Sequence, residues 1–421
     1  MQKTHTLSNG LRIVTEKIDT VKSTTVGLWI EAGSRRENKQ NNGITHFIEH
    51  MMFKGTKKRS ALELAEAIED VGGQINAFTG KESTCYYIKV LDENLELALD
   101  VLSDMLFNSS FSPSDIEKEK GVVIEEINMS EDSPEDVLND LHSLATWGTD
   151  TIAMPILGTK ENVSSFTKED IISYMDENYS PENAVISICG SFKEDEILNK
   201  LNKYFGHWQS KRNNRRLSYS TPMEKKVYLH KEKPIEQLHM SLGMKGYPLG
   251  EELGYTLTLI GNILGGGSSS ILFQKIREEL GLCYSIYTYM SVYNKTGTFN
   301  IYVGLSPKNA KKAVEVIKEE ILRLFQKGIS DEMLEKTKNK LKGNYILGLE
   351  STSSRMFANG KNLLLLGRVY SQDDIMRFIN AIDQEKINRV LKDIISGGIM
   401  NAAFVGNTSD LQSVTEILYL D

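Results

Sequence analysis

Cysteine is scarce: Cys85, Cys189 and Cys283 are the only three in 421 residues. They are scattered, odd in number and never spaced Cys-x-x-Cys, which excludes a disulfide scaffold or a thiolate metal knuckle. Buried, reduced thiols are the expectation. Basic residues are outnumbered, 49 against 57 acidic, for a formal net charge of -8. With no long basic stripe, this argues against a nucleic-acid partner and mildly favours neutral or basic substrates. No apolar run approaches the ~18 residues of a membrane helix, so no membrane partner is expected. Met1 to Gly10, ahead of the first strand-like run, hold neither an apolar secretory segment nor an Arg-rich leader, and a cytoplasmic location is expected. With 40% hydrophobic residues over this length, the chain suits two or three ordinary globular domains.

Histidine is also scarce, seven in all, yet two stand four residues apart in His46-Phe47-Ile48-Glu49-His50. Imidazoles at i and i+4 share a helix face one turn apart, as two ligands of one tetrahedral ion require. Glu49 lies on the same face and is placed to act as a base on water. This is the inverted zincin spacing. Asn41-Asn42-Gly43 marks the start of a helix that runs to Gly55. Ile44, Phe47, Ile48 and Met51 form its buried stripe, nearly opposite the His46, Glu49 and His50 triad. A solvated face that happens to hold two histidines is the competing reading. Zinc requires a further protein ligand. A second helix is expected from Pro113 to Met129, with Ile116, Val123 and Ile127 on one stripe and Glu119 and Glu126 on another. Spacing alone does not choose among its glutamates.

The chain reads as a diverged duplication. Strand-like runs at Leu11–Thr15, Thr24–Ala32, Cys85–Leu91 and Ala184–Cys189 recur in order at Lys226–His230, Leu238–Met244, Thr298–Leu305 and Asn401–Val405. An amphipathic helix bearing Leu95, Ala98, Leu99 and Leu102 follows one run; Ala310, Ala313, Val314 and Ile317 mark its repeat. Asp115-Ile116-Glu117-Lys118 is echoed by Met333-Leu334-Glu335-Lys336. The expected division is 1–210, a solvated linker at 211–224, and 225–421. No histidine follows His239, so the repeat lacks the metal motif. Gly265-Gly266-Gly267 is not followed by the Lys of a P-loop, which excludes that mode of nucleotide binding. Gly72 to Thr79 reads as a turn leading into a short strand, Arg277 and Tyr284 as a surface pair, and the acidic run from Glu125 to Asp140 as a solvated helix end.

His46 through Thr56 resembles the zinc helix of the insulinase, or pitrilysin-like, metallopeptidases, most closely the branch containing mitochondrial processing peptidase and its bacterial homologues. Val122-Val123-Ile124-Glu125-Glu126-Ile127 is similar to the third-ligand helix of that family. The likeness extends from Leu7-Ser8-Asn9-Gly10-Leu11 to the last strand. It implies an α+β fold of two similar domains, each a mainly antiparallel sheet flanked by helices. It further implies one Zn²⁺ per chain, held by His46, His50 and Glu126, with Glu49 as base and Glu119 as accessory glutamate. Asn76-Ala77-Phe78 would be an edge strand that pairs with an extended or unfolded peptide substrate. Arg277 would hold the substrate backbone, and Tyr284 would donate to the carbonyl oxyanion. Both would come from the partner subunit of a homodimer closed as a clamshell chamber. The implied activity is that of a zinc endopeptidase. The alternatives are a non-catalytic recognition subunit of the same fold and a peptide binder with structural zinc. Thr151-Ile152-Ala153-Met154-Pro155 departs from the family's usual Leu-Gly-Arg-like string, which leaves substrate contact by that loop open.

Overall fold

Among the described residues, eleven strands form where β-branched and aromatic residues cluster, and their pairing falls into two sheets. The computed structural model describes residues 2–210, 226–407 and 411–418; the expected linker at 211–224 lies outside them. In chain order the strands are β1 Gln2–Thr6, β2 Arg12–Lys17, β3 Ser23–Ile30, β4 Gln74–Thr79, β5 Thr84–Leu91, β6 Ala184–Gly190, β7 Val227–Lys231, β8 Leu238–Lys245, β9 Cys283–Tyr293, β10 Thr296–Leu305 and β11 Asn401–Val405. The first sheet runs β1-β2-β6-β3-β5-β4 and the second β7-β11-β8-β10-β9.

β2 pairs with β6 in parallel, and every other pair in the first sheet is antiparallel. β7 pairs with β11 in parallel, and again the remaining pairs are antiparallel. β2-β6-β3-β5-β4 and β7-β11-β8-β10-β9 therefore share order and direction, as the repeated sequence pattern predicts. β1 adds one edge strand to the first sheet. The helices repeat as well: Leu95–Asn108 follows β5 and Ala310–Lys327 follows β10, each burying its expected stripe. The Asp115 and Met333 motifs open the next helices, Pro113–Asp132 and Asp331–Gly348.

The compact units are not contiguous in sequence. The first comprises the described residues through Asn128, those from Met154 to 210, and Ile346–Ser371. The second comprises Met129–Ala153, residues 226 to Tyr345, and the described residues from Gln372 onward. They differ from the expected division at 1–210 and 225–421 by two exchanged segments. Helix Pro134–Trp147, from the first half of the chain, packs Val137 and Leu138 against Tyr302, Ala403 and Val405 of the second sheet. Helix Thr352–Leu366, from the second half, lies on the first sheet, where Asn359 donates to Glu16 at 2.7 Å and Ser187 donates to the Met356 carbonyl at 2.9 Å. Each helix lies over a glycine on an inner strand. A Cβ at Gly27 would fall 2.3 Å from Met356 Sδ, and one at Gly243 would fall 2.5 Å from His142 Nε2. A side chain at either position would force the one above it to move.

All three cysteines are free, with Cys85 and Cys189 buried and Cys283 part-buried. Among the described residues, no helix is long and apolar enough to cross a membrane.

Candidate metal centre

The centre lies in the first unit. Helix Ile44–Met51 buries Ile44, Phe47, Ile48 and Met51 in the core beneath the sheet. It ends at Met51, with Met52 to Lys54 in a turn, somewhat short of the expected Gly55. On the opposite face His46 is only 7% exposed, while Glu49 and His50 are part-buried. Helix Pro113–Asp132 buries Ile116, Val123 and Ile127 as predicted, together with Glu119, while Glu125 faces solvent.

Glu126 Oε2 lies 3.4 Å from His50 Nε2 and 3.7 Å from His46 Nε2. One ligand atom from each of the three residues can be chosen so that all lie within 4.8 Å of one another. A tetrahedral zinc with bonds of about 2.0–2.1 Å has ligand atoms about 3.3 Å apart, so two imidazoles and a carboxylate at these separations fit such an ion. Glu119 Oε1 accepts from His50 Nδ1 at 2.8 Å, and its other oxygen pairs with Lys54 Nζ at 2.7 Å. Glu119 thereby fixes the ring and directs Nε2 toward Glu126. Glu49 accepts a hydrogen bond from Thr79 of β4, which ties the base to the edge strand.

Burial lowers the pKa of His46 to about 4, aided by the nearby His50 and opposed by Glu126. Burial also pulls His50 down, but hydrogen bonds to Glu119 and Glu126 outweigh it and raise the ring to about 9. Glu126 is held below the usual carboxylate range by its bond to His50. Glu119 is also lowered, because bonds from His50 and Lys54 overcome its burial. Burial pushes Glu49 up, against the Thr79 hydrogen bond. A carboxylate with a raised pKa beside two imidazoles and a carboxylate of lowered pKa is a grouping suited to proton transfer.

Asn76, Ala77 and Phe78 lie on β4, which pairs with β5 and ends the sheet. Phe78 projects from it, 39% exposed. Arg277 and Tyr284 belong to the second unit, in the helical turn Phe273–Glu279 and at the start of β9. The Arg277 guanidinium lies 4.6 Å from the Phe273 ring centroid and 5.7 Å from that of Tyr284. Tyr284 is 72% exposed. The candidate ligands His46, His50 and Glu126 are thus gathered with Glu49 and Glu119 in one place, with β4 joined to them through Thr79. Sequence reasoning missed Thr79 and Lys54. Lys54 stands one turn beyond His50 in the same string, a usable signal; Thr79 has no local signature.

Comparison with known proteins agrees with this geometry. The profile described as "Insulinase (Peptidase family M16)" matches residues 12–160, and "Peptidase M16 inactive domain" matches 165–341. A Bacillus subtilis protein named "Uncharacterized zinc protease YmxG" is 44% identical, covering 94% of this chain and 96% of its own. A Streptomyces coelicolor protein, "Uncharacterized zinc protease SCO5738", is 35% identical over 97% of this chain and 90% of its own. In fold, the chain is similar to the crystal structure of a protease from Helicobacter pylori, with a TM-score of 0.89 at 21% identity, covering 97% of this chain and 99% of that one. With both halves matched and its relatives aligned from end to end, the chain belongs to the insulinase family of peptidases, family M16.

Proposed function

We propose that the protein is a zinc-dependent endopeptidase that cleaves extended or unfolded peptides, binding one Zn²⁺ per chain through His46, His50 and Glu126. The observation that carries this reading is the convergence of those three ligand groups with Glu49 on the same helix face. Zinc at this centre supplies Lewis acidity to the scissile carbonyl and to water. Glu49 takes a proton from water as its oxygen attacks the carbonyl carbon. It then delivers that proton to the amide nitrogen as the C–N bond breaks. Thr79 holds Glu49 beside β4, and Glu119 keeps His50 Nε2 turned inward.

The peptide adds as a further strand along Asn76-Ala77-Phe78. Main-chain hydrogen bonds there are indifferent to side-chain identity and select extended chains over folded ones. Arg277 holds the substrate backbone, and Tyr284 donates to the developing oxyanion. Both are supplied by the partner copy in a homodimer whose subunits enclose the peptide. A non-catalytic recognition subunit would not need a complete ligand set with a base beside it. The test is cleavage of a quenched fluorescent peptide before and after chelation, with zinc then restored. Cleavage lost on chelation and regained with zinc is the expected result; cleavage unaffected by chelation contradicts the proposal.

A further inference from the structure

Helix Ile44–Met51 is only eight residues long, and it carries His46 on its third residue and His50 on its seventh. A helix this short is unstable alone, so whatever fixes its first turn fixes the ligands. The usual device, a Ser, Thr, Asp or Asn at the N-cap, is excluded here. The N-cap is Gly43, with φ of 100°, and its side-chain position is closed: a Cβ there would fall 2.7 Å from the Leu157 carbonyl oxygen and 2.8 Å from Gly158 Cα.

Glu37 takes over the task from six residues upstream. It is 2% exposed. Its Oε2 accepts from Gly43 N and from Asn42 Nδ2, each at 2.8 Å, and its Oε1 accepts from Thr45 N at 2.8 Å. The remaining N–H in the sequence, that of Ile44, donates to the Asn41 carbonyl at 3.0 Å. Asn42 also donates to the Pro155 carbonyl at 2.9 Å, which joins the carboxylate to the loop that closes over Gly43. A buried carboxylate at a helix N-terminus gains from the macrodipole as well as from its hydrogen bonds. Thr45, held by Glu37, immediately precedes the first ligand.

We propose that Glu37 is a positioning residue of the metal centre, whose carboxylate sets the start and rotation of the ligand helix so that His46, Glu49 and His50 face Glu126. This rests on the zinc reading above. Both oxygens of Glu37 accept backbone N–H groups, so a glutamine necessarily turns an NH₂ group against one of those donors.

The test is Glu37→Gln in the full chain, using zinc affinity by competition with a chromophoric chelator, steady-state kinetics, and amide hydrogen exchange of Thr45–His50 in zinc-free protein. Ser187→Ala is the control. It removes a buried hydrogen bond of the same unit, to the Met356 carbonyl, and so lowers stability away from the helix. Glu37→Gln is expected to weaken zinc binding about 10–100-fold, as for other groups that orient ligands. Its kcat should fall with KM within about twofold, and exchange at Thr45–His50 should accelerate. Ser187→Ala should melt earlier with zinc affinity unchanged. Wild-type zinc affinity and exchange in Glu37→Gln, or an equal loss of zinc affinity in Ser187→Ala, overturns the inference alone. A wild-type protein that binds no zinc overturns the zinc reading, and this inference with it.

Discussion

Two helices occupy equivalent places in the duplicated fold: Ile44–Met51 after β3 and Leu253–Gly265 after β8. Each buries an apolar stripe in its own core. The first turns two histidines and a glutamate to its other face; the second has no acid or imidazole along its length. The shared architecture thus specifies where a helix packs, not what its free face does. Chemistry resides in side chains the fold tolerates but does not require. The two edge strands diverge in the same way. β4 is tied through Thr79 to Glu49, while β9 carries the exposed Tyr284 at its second position, beside Arg277.

The comparison breaks most completely at Glu126. Glu126→Ala removes the ligand that faces both imidazoles, and zinc content by mass spectrometry should fall from one per chain toward none, with peptide cleavage at the chelated background. Retained zinc would place the third ligand elsewhere. The contribution of the second unit is next in size. Tyr284→Phe should lower kcat by about 10²–10³, the cost of removing one oxyanion donor, with zinc content unchanged. A variant as active as wild type would leave the second unit without a chemical role.

The smallest effect separates two kinds of buried histidine. His46 lines the candidate metal centre beside the part-buried His50, whereas His142 lies in the second unit, with Nδ1 3.0 Å from Ser241 Oγ and Nε2 without a partner. Burial lowers its pKa to about 4. The folded state therefore holds His142 neutral while the unfolded chain protonates it below about 6.5, so this contribution to stability is present above pH 6.5 and is lost as pH falls toward 4. Between pH 7 and pH 5, wild type should lose about 2 kcal/mol more than His142→Gln in chemical denaturation. Parallel loss in both proteins would mean that His142 is protonated when folded.

Much of this was legible in sequence because it is local. The His46-to-His50 spacing and the Ile44, Phe47, Ile48, Met51 stripe are properties of one helix, and both are present as expected. The duplication was visible because buried strands such as Thr298–Leu305 are dense in β-branched and aromatic residues. β1 escaped notice since Gln2-Lys3-Thr4-His5-Thr6 is a polar edge strand with no apolar face to announce it. β9 was missed for a related reason, as its Tyr, Ser and Thr residues alternate without a clear apolar period. The helix exchange was not legible at all. Val137 and Leu138 declare that Pro134–Trp147 buries a face, but an apolar stripe does not name the sheet that receives it. Glu37, Lys54 and Thr79 act through partners brought close only by folding, beyond any periodicity. Only the family likeness points to Glu126, which lies 3.4 Å and 3.7 Å from the two imidazoles.

On the proposed function, one zinc held by His46, His50 and Glu126 and one base, Glu49, hydrolyse peptides. Glu49→Gln tests it most directly, with zinc content and single-turnover peptide cleavage measured on the same sample. One zinc per chain with cleavage reduced by about 10²–10⁴ is the predicted result; undiminished cleavage by the zinc-loaded variant would contradict the account.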